Sequence, residues 1–230
     1  LDIQYMQRQL DDHPIERPRV IGIDEISVRK GHDYRIVVHD LGRRRPIWFG
    51  GDDRSTKSMD RFYESLGIDV CEGIEIGVMD MWKAFERSFK SHCPNGMIAY
   101  DHFHISQHLG RAIDAIRRAE YKRVDSDKRR FIKGQRYNLL SNRENLDRKG
   151  RLELEQLLKA NARLNKAYLL KESFDQLWTY RSATWARKFF EGWKRSLRWQ
   201  RLKPLEEFAA MVDRHWDGVV AMAGFNEKVL

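Results

Sequence analysis

The sequence predicts an α/β fold: a mixed five-stranded sheet with flanking helices, continued by a long, basic, all-helical stretch. Two observations carry this prediction. Strand-like runs occur only between residues 19 and 101, alternating with helical patterns in the order β-β-β-α-β-α-β-α. Three hairpin-linked strands followed by β-α-β-α-β build a mixed sheet with helices on its faces. Charge divides the chain in nearly the same place: residues 111–205 hold 26 Lys+Arg against 11 Asp+Glu, and the remainder holds 17 against 23.

Residues 1–18 read as a polar lead-in closed by Pro14 and Pro18. Residues 19–25 (RVIGIDE) are apolar and bounded by Pro18, residues 34–41 (YRIVVHDL) are rich in β-branched side chains, and residues 46–49 (PIWF) run into Gly50-Gly51. Gly31-His32-Asp33 and Gly42-Arg43-Arg44-Arg45 supply the turns, so these three strands are expected to be antiparallel. Ser55 is placed to cap a helix reaching Leu66, with Met59, Phe62, Tyr63 and Leu66 on one face. Residues 74–80 (IEIGVMD) then read as a strand, 81–91 (MWKAFERSFKS) as a helix, and 97–101 (MIAYD) as the last strand, followed by a helix over 103–121.

Beyond residue 121 the patterns are helical throughout. One basic helix ends at Leu139-Leu140. Asn145 and Asp147 offer caps for another through Leu158, and further helices are expected over 164–177, 183–199 and 205–216. Trp178, Trp185, Phe189 and Trp193 recur at helix-like spacing and read as a buried stripe, because aromatics dominate cores. The expected organisation is a lead-in (1–18), an α/β core (19–121) and an all-helical basic region (122–230).

Composition excludes several classes. A chain of 230 residues with 41% hydrophobic content can bury a core, and 33% charged residues give it a solvated surface. No apolar run approaches the ~18 residues needed to span a bilayer, and the opening LDIQYMQRQLDDHPIE lacks a signal peptide's basic start and apolar centre. Cys71 and Cys93 lie far apart with no C-x-x-C, which implies two buried thiols in a reducing cytoplasm and neither a disulfide framework nor a zinc ribbon.

An acidic part joined to a strongly basic part points to a nucleic-acid partner. The clusters that would meet phosphates are Lys128-Arg129-Arg130, Arg148-Lys149-Arg151, Arg187-Lys188 and Lys194-Arg195. The alternative is a solvated helical surface, the usual fate of charge runs.

Three aspartates stand at or near the ends of predicted strands: Asp24 in GIDE, Asp80 in MDMW and Asp101 in YDHFH. A carboxylate that follows a buried strand must be paired or bind a metal, and ligand sites lie beyond the carboxyl ends of parallel strands. If the first and fourth strands are parallel neighbours, Asp24 and Asp80 converge there. Two converging carboxylates suit Mg²⁺ or Mn²⁺, and a two-metal site can drive phosphodiester transfer. For each aspartate taken alone, a helix cap or a turn is the competing reading, most directly for Asp80 before Met81.

Three segments also resemble a known family. G-I-D-E-I-S-V-R-K-G-H at 22–32, V-M-D-M-W-K-A-F at 78–85 and Y-D-H-F-H-I-S-Q-H-L at 100–109 are similar to the DDE transposases of the ISL-three insertion-sequence group. The resemblance implies an RNase H-like fold, Mg²⁺-dependent DNA cleavage and strand transfer at transposon ends, and a role in the bacterial cytoplasm at the nucleoid. By the same resemblance Asp24 and Asp80 are catalytic and metal-holding, and Asp101-x-x-His104 is a supporting element. Transposon DNA is the implied partner, together with further copies of the chain in a homo-oligomer. The family's third carboxylate lies in a segment resembling N-G-x-x-E-G-x-N, which is absent here; the chain ends F-N-E-K-V-L. The expectation is therefore a fragment that is inactive alone, with Glu227 a weak candidate for the missing ligand.

Other readings remain open. Glu25 follows Asp24 and faces the other side of the strand, so it reads as a salt-bridge or surface residue. His104 and His108 are spaced i, i+4 as in a zinc hydrolase, but no Glu base stands between them, and ordinary helix-start histidines are the plainer reading beside His102. A non-catalytic DNA-binding transposase remnant is the main alternative to an active enzyme.

Overall fold

The computed structural model describes residues 10, 16–29 and 33–225. The strands are β1 (Val20–Arg29), β2 (Asp33–Asp40), β3 (Arg45–Gly50), β4 (Ile76–Met79) and β5 (Met97–Tyr100). They form one sheet in the order β3-β2-β1-β4-β5. The β1–β2 and β2–β3 pairs are antiparallel, and the β1–β4 and β4–β5 pairs are parallel. This is the RNase H-like arrangement. Helices α1 (Thr56–Leu66), α2 (Ile68–Cys71), α3 (Lys83–His92) and α4 (His102–Arg123) follow in chain order. The described residues form two compact units, those up to His104 together with those from Asp217 onward, and Ile105–Trp216.

In the first unit, strand alternation sorts the core. Ile21 and Ile23 of β1, Ile36 and Val38 of β2, and Met79 at the end of β4 face one side with Met59, Phe62 and Tyr63 of α1 and Phe85 and Phe89 of α3. Ser55 begins α1 by accepting a hydrogen bond from the Ser58 amide at 3.2 Å, as the sequence requires. Phe89 is fully buried, and its ring occupies the space where a Cβ at Gly77 or Gly96 would stand. The opposite face carries Val20, Ile76, Val78 and Ala99. Ala221 and Met222 of α11 (Trp216–Phe225) pack there, and Gly218 lies directly against the Tyr100 ring. Sequence periodicity gave no sign of α2 or α11.

β1 runs past the expected Glu25 to Arg29, because its second half pairs with β2 from Glu25↔Ile36 to Arg29↔Asp33. Of the turn expected at residues 31–33, Gly31 and His32 lie outside the described residues, as does Glu227. At the other hairpin, Asp40 accepts hydrogen bonds from the Arg43 amide (3.0 Å) and guanidinium (2.7 Å).

The second unit is helical, and among the described residues no strand follows Tyr100. Its elements are α5 (Ser126–Gly134), α6 (Arg136–Leu140), α7 (Arg148–Ala160), α8 (Ala162–Phe174), α9 (Ala183–Leu197) and α10 (Lys203–Arg214), with short 3-10 turns at Arg143–Asn145 and Asp175–Thr179. Asp125, Asp147 and Asn161 cap α5, α7 and α8. Phe174, Trp193 and Phe208 form an edge-to-face aromatic centre with centroids 5.0–6.1 Å apart. The expected aromatic stripe is corrected in part. The buried face of α9 is Ala186, Phe190, Trp193 and Leu197, a 3.6-residue period. Trp185 falls one position off this face and is exposed.

Candidate active site

The sheet register leads toward the three aspartates. On the parallel pair, Val20, Ile21 and Gly22 stand opposite Ile76, Gly77 and Val78; the pairing ends there, two residues before Asp24 and Asp80, which the same register, carried on, would set opposite each other. β4 and β5 are aligned from Ile76↔Met97 to Met79↔Tyr100, and the next step sets Asp80 opposite Asp101. By strand alternation, Asp24 shares the face of Val20, Asp80 that of Val78, and Asp101 that of Ala99. The row thus crosses the carboxyl ends of β4 and β5 and the middle of β1, on the face where α11 packs.

Each aspartate commits one oxygen locally. Oδ1 of Asp24 accepts from the Glu25 amide at 2.7 Å, Oδ1 of Asp80 from the Met81 amide at 2.7 Å, and Oδ1 of Asp101 from the Phe103 amide at 2.8 Å. Asp101 therefore caps the start of α4. Asp80 is not the cap of α3, whose N-cap is Trp82 with no side-chain bond. His104, in the first turn of α4, sets Nδ1 3.8 Å from Oδ2 of Asp80.

Surrounding groups register the negative charge. Burial raises the Glu25 carboxyl above its ordinary value; the Arg54 guanidinium opposes this, and both Asp24 and Asp80 reinforce it. His39, opposite Gly22 on β2, is held below the ordinary imidazole value by burial, with Asp24 pulling upward. Glu25 forms an ion pair with Arg54, the salt-bridge role its place on β1 suggested. The Arg54 guanidinium lies 4.3 Å from the Trp82 ring centroid, and its carbonyl accepts from Trp82 Nε1 at 2.8 Å. Sequence reasoning did not single out Arg54. Its only signal was Trp82 in the M-D-M-W motif.

Two carboxylates on one row suit a hard divalent cation that takes oxygen ligands and keeps water. Among the described residues no three His, Cys, Asp or Glu side chains gather closely enough to hold a metal ion. His104 is turned to Asp80, whereas His108 lines a cleft of the helical unit with Arg111, Pro204 and Phe208, which leaves the zinc-hydrolase reading without support. Cys71 and Cys93 are free and buried; burial raises both thiols, that of Cys93 to about 12. Among the described residues no helix is long and apolar enough to cross a membrane.

Compared with known proteins, residues 21–227 match the family model of ISL3 (ISL-three) DDE transposases, described as Transposase. The chain belongs to this family. The transposase for insertion sequence element IS1001 of Bordetella parapertussis is 34% identical over 204 residues, covering 87% of this chain and 50% of that protein. The transposase for insertion sequence element IS1557 of Mycobacterium tuberculosis is 28% identical over 221 residues, covering 86% of this chain and 49% of that protein. The chain spans about half the length of these relatives.

The cations singled out in this ISL3-family chain differ in how they are engaged. Arg187 and Lys194 are both paired to Asp213, at 2.8 and 2.5 Å. Lys128 pairs with Asp125 at 3.0 Å, and Lys149 lies 3.9 Å from Glu153. Arg129 and Arg151 donate to the carbonyls of Val124 and Leu146, and Lys188 lies 4.9 Å from the Trp185 ring centroid. Arg130, Arg148 and Arg195 are exposed and form no ion pair among the described residues.

Proposed function

We propose that this chain carries the catalytic core of a transposase that cuts and joins DNA strands with Mg²⁺ or Mn²⁺, acting on transposon ends in the bacterial cytoplasm. In this reading Asp24 and Asp80 hold the metal, and Asp101 and His104 support them. The chemistry belongs to residues 19–121, and the basic helices of residues 122–230 grip phosphates. The observation that supports the proposal is the parallel pairing of β1 with β4, which ends two residues before Asp24 and Asp80, with both charges acting on Glu25.

A bound pair of divalent cations supplies activation of the attacking oxygen and stabilisation of the leaving one. The protein's part is preorganisation. Each aspartate is oriented by its own backbone hydrogen bond, leaving Oδ2 for a ligand. His104 stands beside Oδ2 of Asp80, where it can orient that carboxylate. The ion pair of Arg54 with Glu25, stacked on Trp82, ties the segment after Asp24 to the segment after Asp80.

A second reading, DNA binding without turnover by the 230-residue chain, is favoured by the absence of a three-donor cluster among the described residues. Calorimetric titration with Mn²⁺ and a plasmid-nicking assay on the same preparation separate the readings. Asp24→Asn and Asp80→Asn are each expected to weaken Mn²⁺ binding by at least ~10–100-fold, the effect of disturbing a metal's ligand shell, while leaving duplex binding intact. Nicking that both variants abolish supports the enzyme. Metal and DNA binding without nicking supports the second reading, and Mn²⁺ binding unchanged in both variants would falsify the site.

A further inference from the structure

We propose that Trp199, in the loop between α9 and α10, is a stacking platform that captures an unpaired base of bound DNA. The inference rests on the DNA-binding reading above and adds to it a site and a ligand. Among the described residues Trp199 is the most exposed large apolar side chain, at 82%. It is held out by an ordered loop. Trp199 and Arg201 adopt φ of 73° and 54°, left-handed values that side chains other than glycine rarely take. Such strain persists only where the surroundings over-determine it, and here they do. The amides of Arg198 and Gln200 donate to the carbonyls of Arg195 and Leu197, the Arg201 carbonyl accepts from the Arg163 guanidinium at 2.8 Å, and Leu202 is fully buried.

The chemistry around the ring suits a nucleotide. The Arg198 guanidinium lies 4.9 Å from the Trp199 ring centroid, which combines a cation with an aromatic plane as single-strand binding surfaces do. Residues 192–205 carry five Lys or Arg and no acid, with Glu206 and Glu207 following directly, so a phosphate is met by cations on the Trp199 side of the neighbouring cleft. Beside the ring lies a cleft of about 760 Å³, with Leu197, Ala209 and Ala210 as apolar lining and Lys194, Arg214, Glu206 and Asp213 as polar lining. That volume is within the roughly 300–1,000 Å³ of small-molecule sites. Asp213 neutralises Lys194, so the cleft is mixed in polarity rather than strongly cationic. A neutral, planar base with donors and acceptors on its edge fits such a cleft better than an acidic peptide, and its phosphate would meet Arg195 or Arg198.

The test is fluorescence anisotropy of the 230-residue chain with three labelled duplexes of one sequence: fully paired, carrying a single unpaired thymidine, and carrying an abasic residue at that position. The wild-type chain is expected to prefer the unpaired thymidine over both others by roughly tenfold, about one base–aromatic stack. Trp199→Ala should erase that preference and leave affinity for the paired duplex unchanged, and Trp199→Phe should keep most of it. Matching circular dichroism and thermal midpoints establish that the variants fold, as expected for a side chain this exposed. Equal affinity for the three duplexes, or a preference that survives in Trp199→Ala, overturns the stacking site while the basic helices still bind DNA. Absence of any DNA binding at low salt overturns the DNA-binding reading and this inference with it.

Discussion

At the scale of single residues, the aspartate row is an electrostatic problem that its neighbours report. Carboxylates close together repel one another; burial is the main reason that Glu25 holds its proton more tightly than an ordinary carboxyl, with the Asp24 and Asp80 charges adding to it against Arg54. His39 offers a spectroscopic handle. Burial holds its folded value below 6.5 and the Asp24 charge raises it, so replacing Asp24 by Asn should move the His39 midpoint to lower pH, as read by NMR titration of the imidazole proton. An unmoved midpoint would show that Asp24 does not face β2's His39. The linkage follows from the same sign. A histidine depressed by folding favours the native state above its unfolded value, and that contribution is lost as pH falls through the unfolded value toward the folded one. The residues of this row were legible in the sequence because a carboxylate ending an apolar run stands out. Arg54 was not, since nothing in a linear string says that it will lie on Trp82, 28 residues away.

At the scale of elements, the seating of α3 depends on absent side chains. Phe89 fills the space over Gly77 and Gly96, which lets the helix approach the parallel strands that present Asp80. Gly77→Ala should therefore cost about 1–3 kcal/mol through overpacking, measured by urea unfolding, although alanine suits a strand no worse than glycine does. A neutral result would mean that Phe89 has room to turn aside. Helix starts were legible where a cap is chemically explicit: Ser55, Asp147 and the amphipathic stretch after each behaved as their side chains dictate. The α9 stripe was misjudged at Trp185 because aromatic content is a poorer guide than period. A helix buries one stripe, and a Trp a single position off it stays in water.

At the scale of the whole molecule, the uneven charge is the property with the largest expected consequence. Arg130, Arg148, Lys188 and Arg195 have no ion pair among the described residues, so they can exchange solvent counterions for phosphate. Changing all four to Gln should lower duplex affinity without sequence preference and flatten the salt dependence by roughly one unit of slope per lost phosphate contact. The same change at Arg187 and Lys194 should do less, because Asp213 already holds both. A gel-shift series at several salt concentrations measures the difference, and equal slopes for the two sets would remove the case for the unpaired cations as the phosphate grip.

The sequence by itself determined the strand order in time, the confinement of strands to the first half, the family motifs and the aspartates that follow β4 and β5, because alternation, capping and charge are local properties of a chain; that β1 runs on past Asp24 to Arg29 was set by its pairing with β2. Only the tertiary structure decided which strands are neighbours, and hence that β1 and β4 run parallel, two residues before Asp24 and Asp80. It also returned residues 221 and 222 to the sheet after more than a hundred residues of helical chain, and it left Trp199 in water rather than in the core. These are outcomes of non-local packing, in which a side chain's partner is set by the shape of the buried surface available to it and not by its distance along the chain.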